Sequence, residues 1–99
     1  MDFVLINDVR QPITGNPRFI HHATVMRQTG LKRKEYCIFR DKYTNQIYME
    51  EIVDARVNVE FKQIEDDNEF LDLARFAEAT GLLKILDTGT RIHVQNPLG

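Results

Sequence analysis

The stretch 55–77, ARVNVEFKQIEDDNEFLDLARFA, changes its hydrophobic rhythm near its middle. Its first half has an apolar residue at every second position: Ala55, Val57, Val59 and Phe61. A period of two is typical of a strand with one buried and one wet face, so we predict a strand over 55–64. Beyond position 66 the apolar residues recur at spacings of three and four, at Phe70, Leu73, Ala74 and Ala77. This spacing is typical of an amphipathic helix, and we expect the strand face and the helix stripe to cover each other.

The predicted helix runs from Asp66 to Thr80, and residues at both ends support these limits. Asp66 is a favourable N-cap, and Glu69 three residues later completes a capping box. Gly81 can take the left-handed backbone conformation that commonly ends a helix.

Further segments have strand character and are separated by turn residues. We predict strands over 3–6, 19–28, 35–40 and 47–53, and a hairpin of 82–86 and 90–94 after the helix. The stretch 7–18 contains Pro12, Gly15 and Pro17 and is predicted to be a long loop. The basic run 32–34 is predicted to lie in a turn.

The strands cluster around one helix without β-α alternation, which excludes a parallel nucleotide-binding sheet. We therefore predict an α+β fold, with residues 1–99 forming a small single domain. An antiparallel β-sheet meander of about five to seven strands has one C-terminal-half helix packed on one face, followed by a short β-hairpin. The predicted core comprises Phe3, Leu5, Val25, Ile38, Ile52, Val57, Val59, Phe61, Phe70, Leu73, Ala77, Ile85, Ile92 and Val94.

The overall composition is that of an ordinary globular protein. The chain has 99 residues, of which 42% are hydrophobic and 28% charged, a balance that argues against disorder. Cys37 is the single cysteine, so no internal disulfide can form. The N-terminal sequence lacks the basic and apolar regions of a signal peptide, and no apolar run is long enough to span a bilayer. We therefore predict a cytoplasmic protein without a membrane segment.

The charges are distributed unevenly along the chain. Residues 1–49 contain eight basic and four acidic residues (+4), whereas residues 50–99 contain five and eleven (−6). The basic stretch 27–40 also carries aromatic side chains, which could neutralise phosphates and stack bases. The residues predicted to bind a partner are Arg27, Lys32, Arg33, Lys34, Tyr36 and Arg40. The acidic segment Glu65–Asp72 is a second predicted contact surface.

The motifs of enzymes and metal sites are absent or incomplete. His21 and His22 point to opposite sides of a strand, and neither they nor His93 and Cys37 show a recognised ligand spacing. The sequence contains no serine, which excludes a serine hydrolase. The run 86–90, LDTGT, resembles the active-site loop of aspartic proteases, but only nine residues follow it, too few for a flap and substrate cleft. We interpret it as a hairpin turn, and we predict no catalytic residue, metal site or cofactor.

By elimination, the sequence favours a non-enzymatic binding or regulatory protein that acts through protein–protein contacts, with another protein or a second copy of itself as partner. The first alternative is a nucleic-acid binding module that binds RNA or a single strand through residues 27–40. The second alternative is a small hydrolase or metal enzyme around His21, His22 and His93.

Overall fold

The structure is a computed structural model that describes residues 5–8, 13, 15–54, 58–84 and 93–95. In chain order its elements are β1 (Ile6–Asp8), β2 (Phe19–Thr29), β3 (Lys32–Asp41), β4 (Ile47–Asp54), β5 (Val59–Gln63), α1 (Asp67–Ala79) and β6 (His93–Gln95). The strands β2, β3, β4 and β5 form a four-stranded antiparallel meander in that order. The predicted meander followed by one helix is confirmed, and within the described residues the main sheet has four strands, where about five to seven were expected.

The β2–β3 hairpin is tighter than the sequence predicted. Gly30, with φ +62°, turns the chain, and the exposed Leu31 follows it. Because so short a turn suffices, the basic run 32–34 belongs to β3 rather than to a connection. Its side chains are therefore held in the regular geometry of a strand.

A buried carboxylate organises the β3–β4 turn. Asp41, 1% exposed, accepts hydrogen bonds from the Tyr43 amide (2.9 Å) and from Arg18 Nε (2.8 Å). Burial acts to raise the pKa of Asp41, but the Tyr43 and Arg18 hydrogen bonds together bring it below its usual value. Asn45 closes the turn with φ +60°, a conformation that Asn tolerates well.

The helix has the predicted ends and the predicted buried stripe. Asp66 is the N-cap, and its Oδ1 accepts a hydrogen bond from the Glu69 amide at 2.8 Å. Gly81 follows the helix with φ +81°. The buried helix residues share one core with Leu5 and with residues from the sheet: Phe70, Leu73, Ala74 and Ala77 meet Val25, Tyr36, Ile38, Ile47, Met49 and Ile64.

The expectation that the 55–61 alternation faces the helix is wrong. Residues 59–63 do form a strand, but Val59 is 57% exposed and Phe61 44% exposed. Ile64, directly after this strand, packs in the core against the helix. Val59 and Phe61 lie an odd number of positions before it, so their side chains point to the opposite face of the sheet. Alternation shows that a strand has two unlike faces, but it does not show which face the helix covers.

Of the other predicted core residues, Leu5, Val25, Ile38, Phe70, Leu73 and Ala77 are buried as expected, and Ile52 is half-buried. Phe3, Val57, Ile85 and Ile92 lie outside the described residues, as does the side chain of Val94. The same is true of the LDTGT run and most of the predicted final hairpin.

A parallel pair, β1 and β6, forms a second, two-stranded sheet, and β1 lies against β4 of the meander. The first strand among the described residues is Ile6–Asp8, which extends beyond the predicted end at residue 6, so the predicted 7–18 loop is wrong at its first two residues. Asn7 anchors this pair beside the start of the helix, since its Nδ2 donates to the Glu65 carbonyl (3.1 Å) and to Asp67 Oδ1 (3.2 Å). Within the described residues, no helix is long and apolar enough to span a membrane.

Candidate functional site

The side of the β2–β5 sheet that faces away from α1 has no helix over it within the described residues. Strand register assigns residues to this side, because directly paired residues project to the same face and alternate residues to opposite faces. We call this side the open face. It consists of Phe19, His21, Thr24, Met26, Gln28, Arg33, Glu35, Cys37, Phe39, Asp41, Tyr48, Glu50, Ile52, Val59, Phe61 and Gln63.

One end of the open face is covered by the segment that precedes β2. Ile13 packs there with Phe19 and Tyr48, whose rings meet edge-to-face at 4.9 Å between centroids. Phe39 lies at the border of this small cluster. Between the cluster and Phe61 lies an open, mainly apolar depression of about 380 Å³.

The other end of the open face exposes large apolar side chains. Met26 is 46% exposed, Phe61 44% and Val59 57%, and Ile52 between them is half-buried. Met26, Ile52 and Phe61 lie in one row across the four strands. Glu35, on β3, lies in the same row between Met26 and Ile52. Such a contiguous apolar surface is typical of a contact region.

A polar row separates the two ends of the open face. Register places Thr24, Cys37, Glu50 and Gln63 side by side across the four strands. Glu50 is only 6% exposed, and its Oε1 has no hydrogen-bond partner within the described part of the chain. A buried acceptor without a partner is costly, but Oε1 is itself closed to solvent, so an outside donor reaches it only when the Glu50 side chain turns outward.

Burial also determines the chemistry of this row. It raises the pKa of the Glu50 carboxyl, which favours the protonated acid in the folded chain. Burial also raises the pKa of the Cys37 thiol. A hydrogen bond from Thr24 lowers this pKa, but the nearby Glu50 and Glu35 raise it further, so that it lies above its usual value. A thiol held protonated in this way is a poor nucleophile, so the row is better suited to binding than to catalysis.

The predicted binding residues of the 27–40 stretch do not form one surface. Arg27 extends over the helix side, where its Nη1 pairs with Asp72 at 2.6 Å and its guanidinium lies 5.1 Å from the centre of the Phe76 ring. Lys34 is paired with Glu51 at 3.5 Å. The charges of both basic groups are thus partly compensated within the chain.

The remaining predicted binding residues are also dispersed. Tyr36 is buried at 6% exposure in the helix-side core, which leaves its ring little surface for stacking on a base. Arg40 donates to Asn45 Oδ1 at 3.1 Å, and Lys32 is exposed beside the β2–β3 turn. Arg33 alone of the six projects onto the open face, where its Nη2 lies 3.4 Å from Met26 Sδ. The role of these residues in binding remains a prediction.

The acidic segment 65–72 is largely engaged within the fold. Asp66 caps the helix, Asp67 accepts a hydrogen bond from Asn7, and Asp72 pairs with Arg27. Its carboxylates thus contribute to local stability, and fewer of them are left for an outside partner.

The histidines of the predicted metal or hydrolase site have separate environments. A bulge in β2 falls between His21 and Ala23. His21 Nε2 lies 2.9 Å from Thr24 Oγ1, and His22 Nε2 lies 2.7 Å from the Leu82 carbonyl oxygen. The side chain of His93 lies outside the described residues, and among those described no three His, Cys, Asp or Glu residues are grouped to hold a metal ion.

The sequence alone does not identify the buried acid and the exposed apolar residues of the open face. Glu50 is followed by Glu51 in a segment, Ile47–Asp54, that lacks alternation, so no pattern marked one acid as buried. No sequence pattern distinguishes Met26, and the predicted core included Phe61. The one available signal was the strong alternation of β5, which indicates that its apolar face contacts another apolar surface.

The chain matches no protein-family model, and it has no significant match among curated proteins or solved structures. Function is therefore inferred from the geometry of the chain itself.

Proposed function

We propose that the chain is a non-enzymatic binding protein that acts through contacts with protein, and that the open face is its contact surface. The observation that carries this proposal is the exposure of Met26, Phe61 and Val59 in one region of that face. Covering such half-exposed side chains would contribute roughly 1 kcal/mol each, enough together to support association.

The polar row supplies the specificity that an apolar surface lacks. The Oε1 of Glu50 is a buried acceptor without a partner, and it lies beside the exposed apolar region. A partner whose docking turns the Glu50 side chain outward and donates a hydrogen bond to it removes an existing cost, whereas a purely apolar partner leaves that cost in place. The depression near Phe61 and Phe39 gives an apolar side chain of the partner a place to insert.

Nucleic-acid binding is less well supported by the same geometry. A phosphate-binding surface requires basic groups that are free of counter-charges and clustered on one side. Arg27 and Lys34 instead lie against Asp72 and Glu51, and Tyr36 is buried.

The proposal is tested by affinity capture from native lysate with three immobilised baits: the wild-type chain, Phe61→Ser and Leu31→Ser. Leu31 is a matched control because it is fully exposed but lies on the β2–β3 turn, away from the open face. We expect a protein retained by the wild-type and Leu31→Ser baits, after nuclease treatment, and lost with Phe61→Ser.

Circular dichroism must show that the Phe61→Ser bait is folded, which its exposed position favours. Equal capture by all three folded baits would refute the open face as the contact surface. Capture that nuclease abolishes would instead favour the nucleic-acid alternative.

A further inference from the structure

The open face carries an acidic and a basic group that can complement each other across two copies of the face. Arg33, Glu35 and Cys37 occupy alternate positions on β3 and share the open face. Glu50 lies directly opposite Cys37 on β4. Glu35 lies two residues before Cys37 on the same strand, so Glu35 and Glu50 are both close neighbours of Cys37 on this face.

We propose that the open face docks against the same face of a second copy of the chain, about a two-fold axis that crosses β3 beside Glu35. This inference rests on the function proposed above and names the partner. Positions 33 and 37 are equally distant from 35. The axis therefore places Arg33 of each copy over Cys37 of the other, between the carboxyl groups of Glu35 and Glu50.

The requirements of the groups on the face match this arrangement. Glu50 lacks a donor at Oε1, which an outward turn of its side chain would present at the face, and Arg33 has five N–H donors, of which the one at Nη2 meets Met26 Sδ. The two Glu35 carboxylates approach each other at the axis, where an Arg33 from each copy offsets their repulsion. A face with both an acid and a base is suited to an isologous contact, in which each copy offers the same patch.

The apolar side chains fit the same axis. Met26, Ile52 and Phe61 share the row of Glu35, so each of them would lie close to its counterpart in the second copy. Their exposed areas would then be covered on both copies at once, with the charged pairs on either side of them.

The available area predicts a weak dimer. Four strands about 4.8 Å apart and about eight residues long cover roughly 19 by 26 Å, or on the order of 500 Å² per copy. The total of roughly 1,000 Å² is at the low end of specific interfaces. We therefore expect weak, reversible association in the micromolar range.

Sedimentation equilibrium of the purified chain, from about 5 to about 500 μM at pH 7, tests the proposal. The wild-type chain and the Leu31→Ser control should change from monomer to dimer over this range, whereas Phe61→Ser should associate at least about tenfold more weakly. A monomeric wild-type chain at every concentration, or an equal loss in Leu31→Ser, would overturn the proposal.

Charge reversal distinguishes the proposed pairing from unspecific hydrophobic contact. Arg33→Glu brings acid against acid, and Glu35→Arg brings base against base, so each variant alone should dimerise weakly. An equimolar mixture pairs opposite charges between positions 33 and 35 in both contacts, so it should form a heterodimer clearly tighter than either variant alone, but weaker than the wild-type dimer because one Glu50 still faces an acidic side chain. A mixture that stays as weakly associated as its components would refute this geometry.

These results can be separated from a failure of the proposed function. A monomeric chain whose capture of another protein still depends on Phe61 would remove the second copy as partner and leave the open face as the contact surface. A monomeric chain without Phe61-dependent capture would remove both.

Discussion

Replacing Glu50 with methionine should stabilise the fold at neutral pH. Glu50 is 6% exposed, its Oε1 has no partner, and methionine has a similar length without the buried oxygens. A buried polar group without a partner costs about 1–3 kcal/mol. We therefore expect Glu50→Met to raise the free energy of unfolding at pH 7 by roughly 1–3 kcal/mol, or several degrees in Tm for a domain of this size.

The gain should depend on pH in a defined direction. Burial raises the pKa of Glu50 in the folded chain above 4.5, its usual value. Below that pH the acid is protonated in both states and its charge costs nothing. As the pH rises, the unfolded chain releases the proton first, so the wild-type fold loses stability until the pH passes the raised pKa. The advantage of Glu50→Met should thus be larger at pH 7 than at pH 4.

Urea unfolding at pH 4, 5.5 and 7 measures this difference, at a protein concentration where the chain is monomeric. Glu35→Met is the matched control, because Glu35 lies on the same face and is exposed. It should change the free energy of unfolding by no more than about 0.5 kcal/mol. A loss of stability in Glu50→Met at pH 7, or a gain that does not shrink toward pH 4, would refute the interpretation of Glu50 as an unpaired buried acid.

Three further predictions concern the core, the helix cap and the buried ion pair, each measured by urea unfolding at pH 7. Phe70→Ala, at 1% exposure, should lower the free energy of unfolding by about 3–5 kcal/mol, and Phe61→Ala, at 44%, by no more than about 1–2 kcal/mol. Asp66→Ala removes the N-cap hydrogen bond to Glu69 and should cost about 1 kcal/mol. Arg18→Met should cost about 1–2 kcal/mol, because the half-exposed guanidinium holds the buried Asp41.

Each of these predictions is contradicted by a different result. Equal losses for Phe70→Ala and Phe61→Ala would contradict the assignment of the helix to the opposite face. An unchanged stability of Asp66→Ala would exclude its capping role. The pKa of Asp41 is lowered, so its ion pair stabilises above the usual Asp range and is lost as the pH falls through the lowered value. If Arg18→Met loses as much free energy of unfolding in strong acid as at pH 7, this pH dependence of the ion pair is wrong.

Local chemistry made the helix and the positions of the hairpin turns predictable, although not where β3 begins. The Asp66 cap, the spacing of Phe70 and Leu73 and the following Gly81 fix the helix within one residue at each end. The β2–β3 and β3–β4 turns fall at Gly30 and Asn45, where positive φ favours these residue types. Each of these features depends on residues close together in sequence.

The orientation of β5 was not predictable in the same way. The alternation of Val59 and Phe61 shows a strand with an apolar face, but which side the helix occupies depends on Val25, Tyr36 and Met49 of distant strands. The parallel pairing of Ile6–Asp8 with His93–Gln95 is likewise a contact between remote segments. Sequence periodicity contains no information about such long-range choices.

The candidate site was obscured for the same reason. Composition drew attention to basic residues, but the sheet places Arg27 and Lys34 beside acidic partners and leaves Arg33 on the open face. Glu50 becomes notable only when its neighbours across the strands and its burial are known.

The open face is tested most directly by the accessibility of two methionine methyl groups in solution. Met26 lies on that face at 46% exposure, and Met49 lies in the helix-side core at 1%. In a dilute sample with labelled methionine methyls, a soluble nitroxide should broaden the Met26 signal strongly and leave Met49 sharp. The account predicts that Met26 becomes protected as the chain is concentrated. A Met26 signal as sharp as that of Met49 in the dilute sample would contradict it, because the face would then be covered by the chain itself.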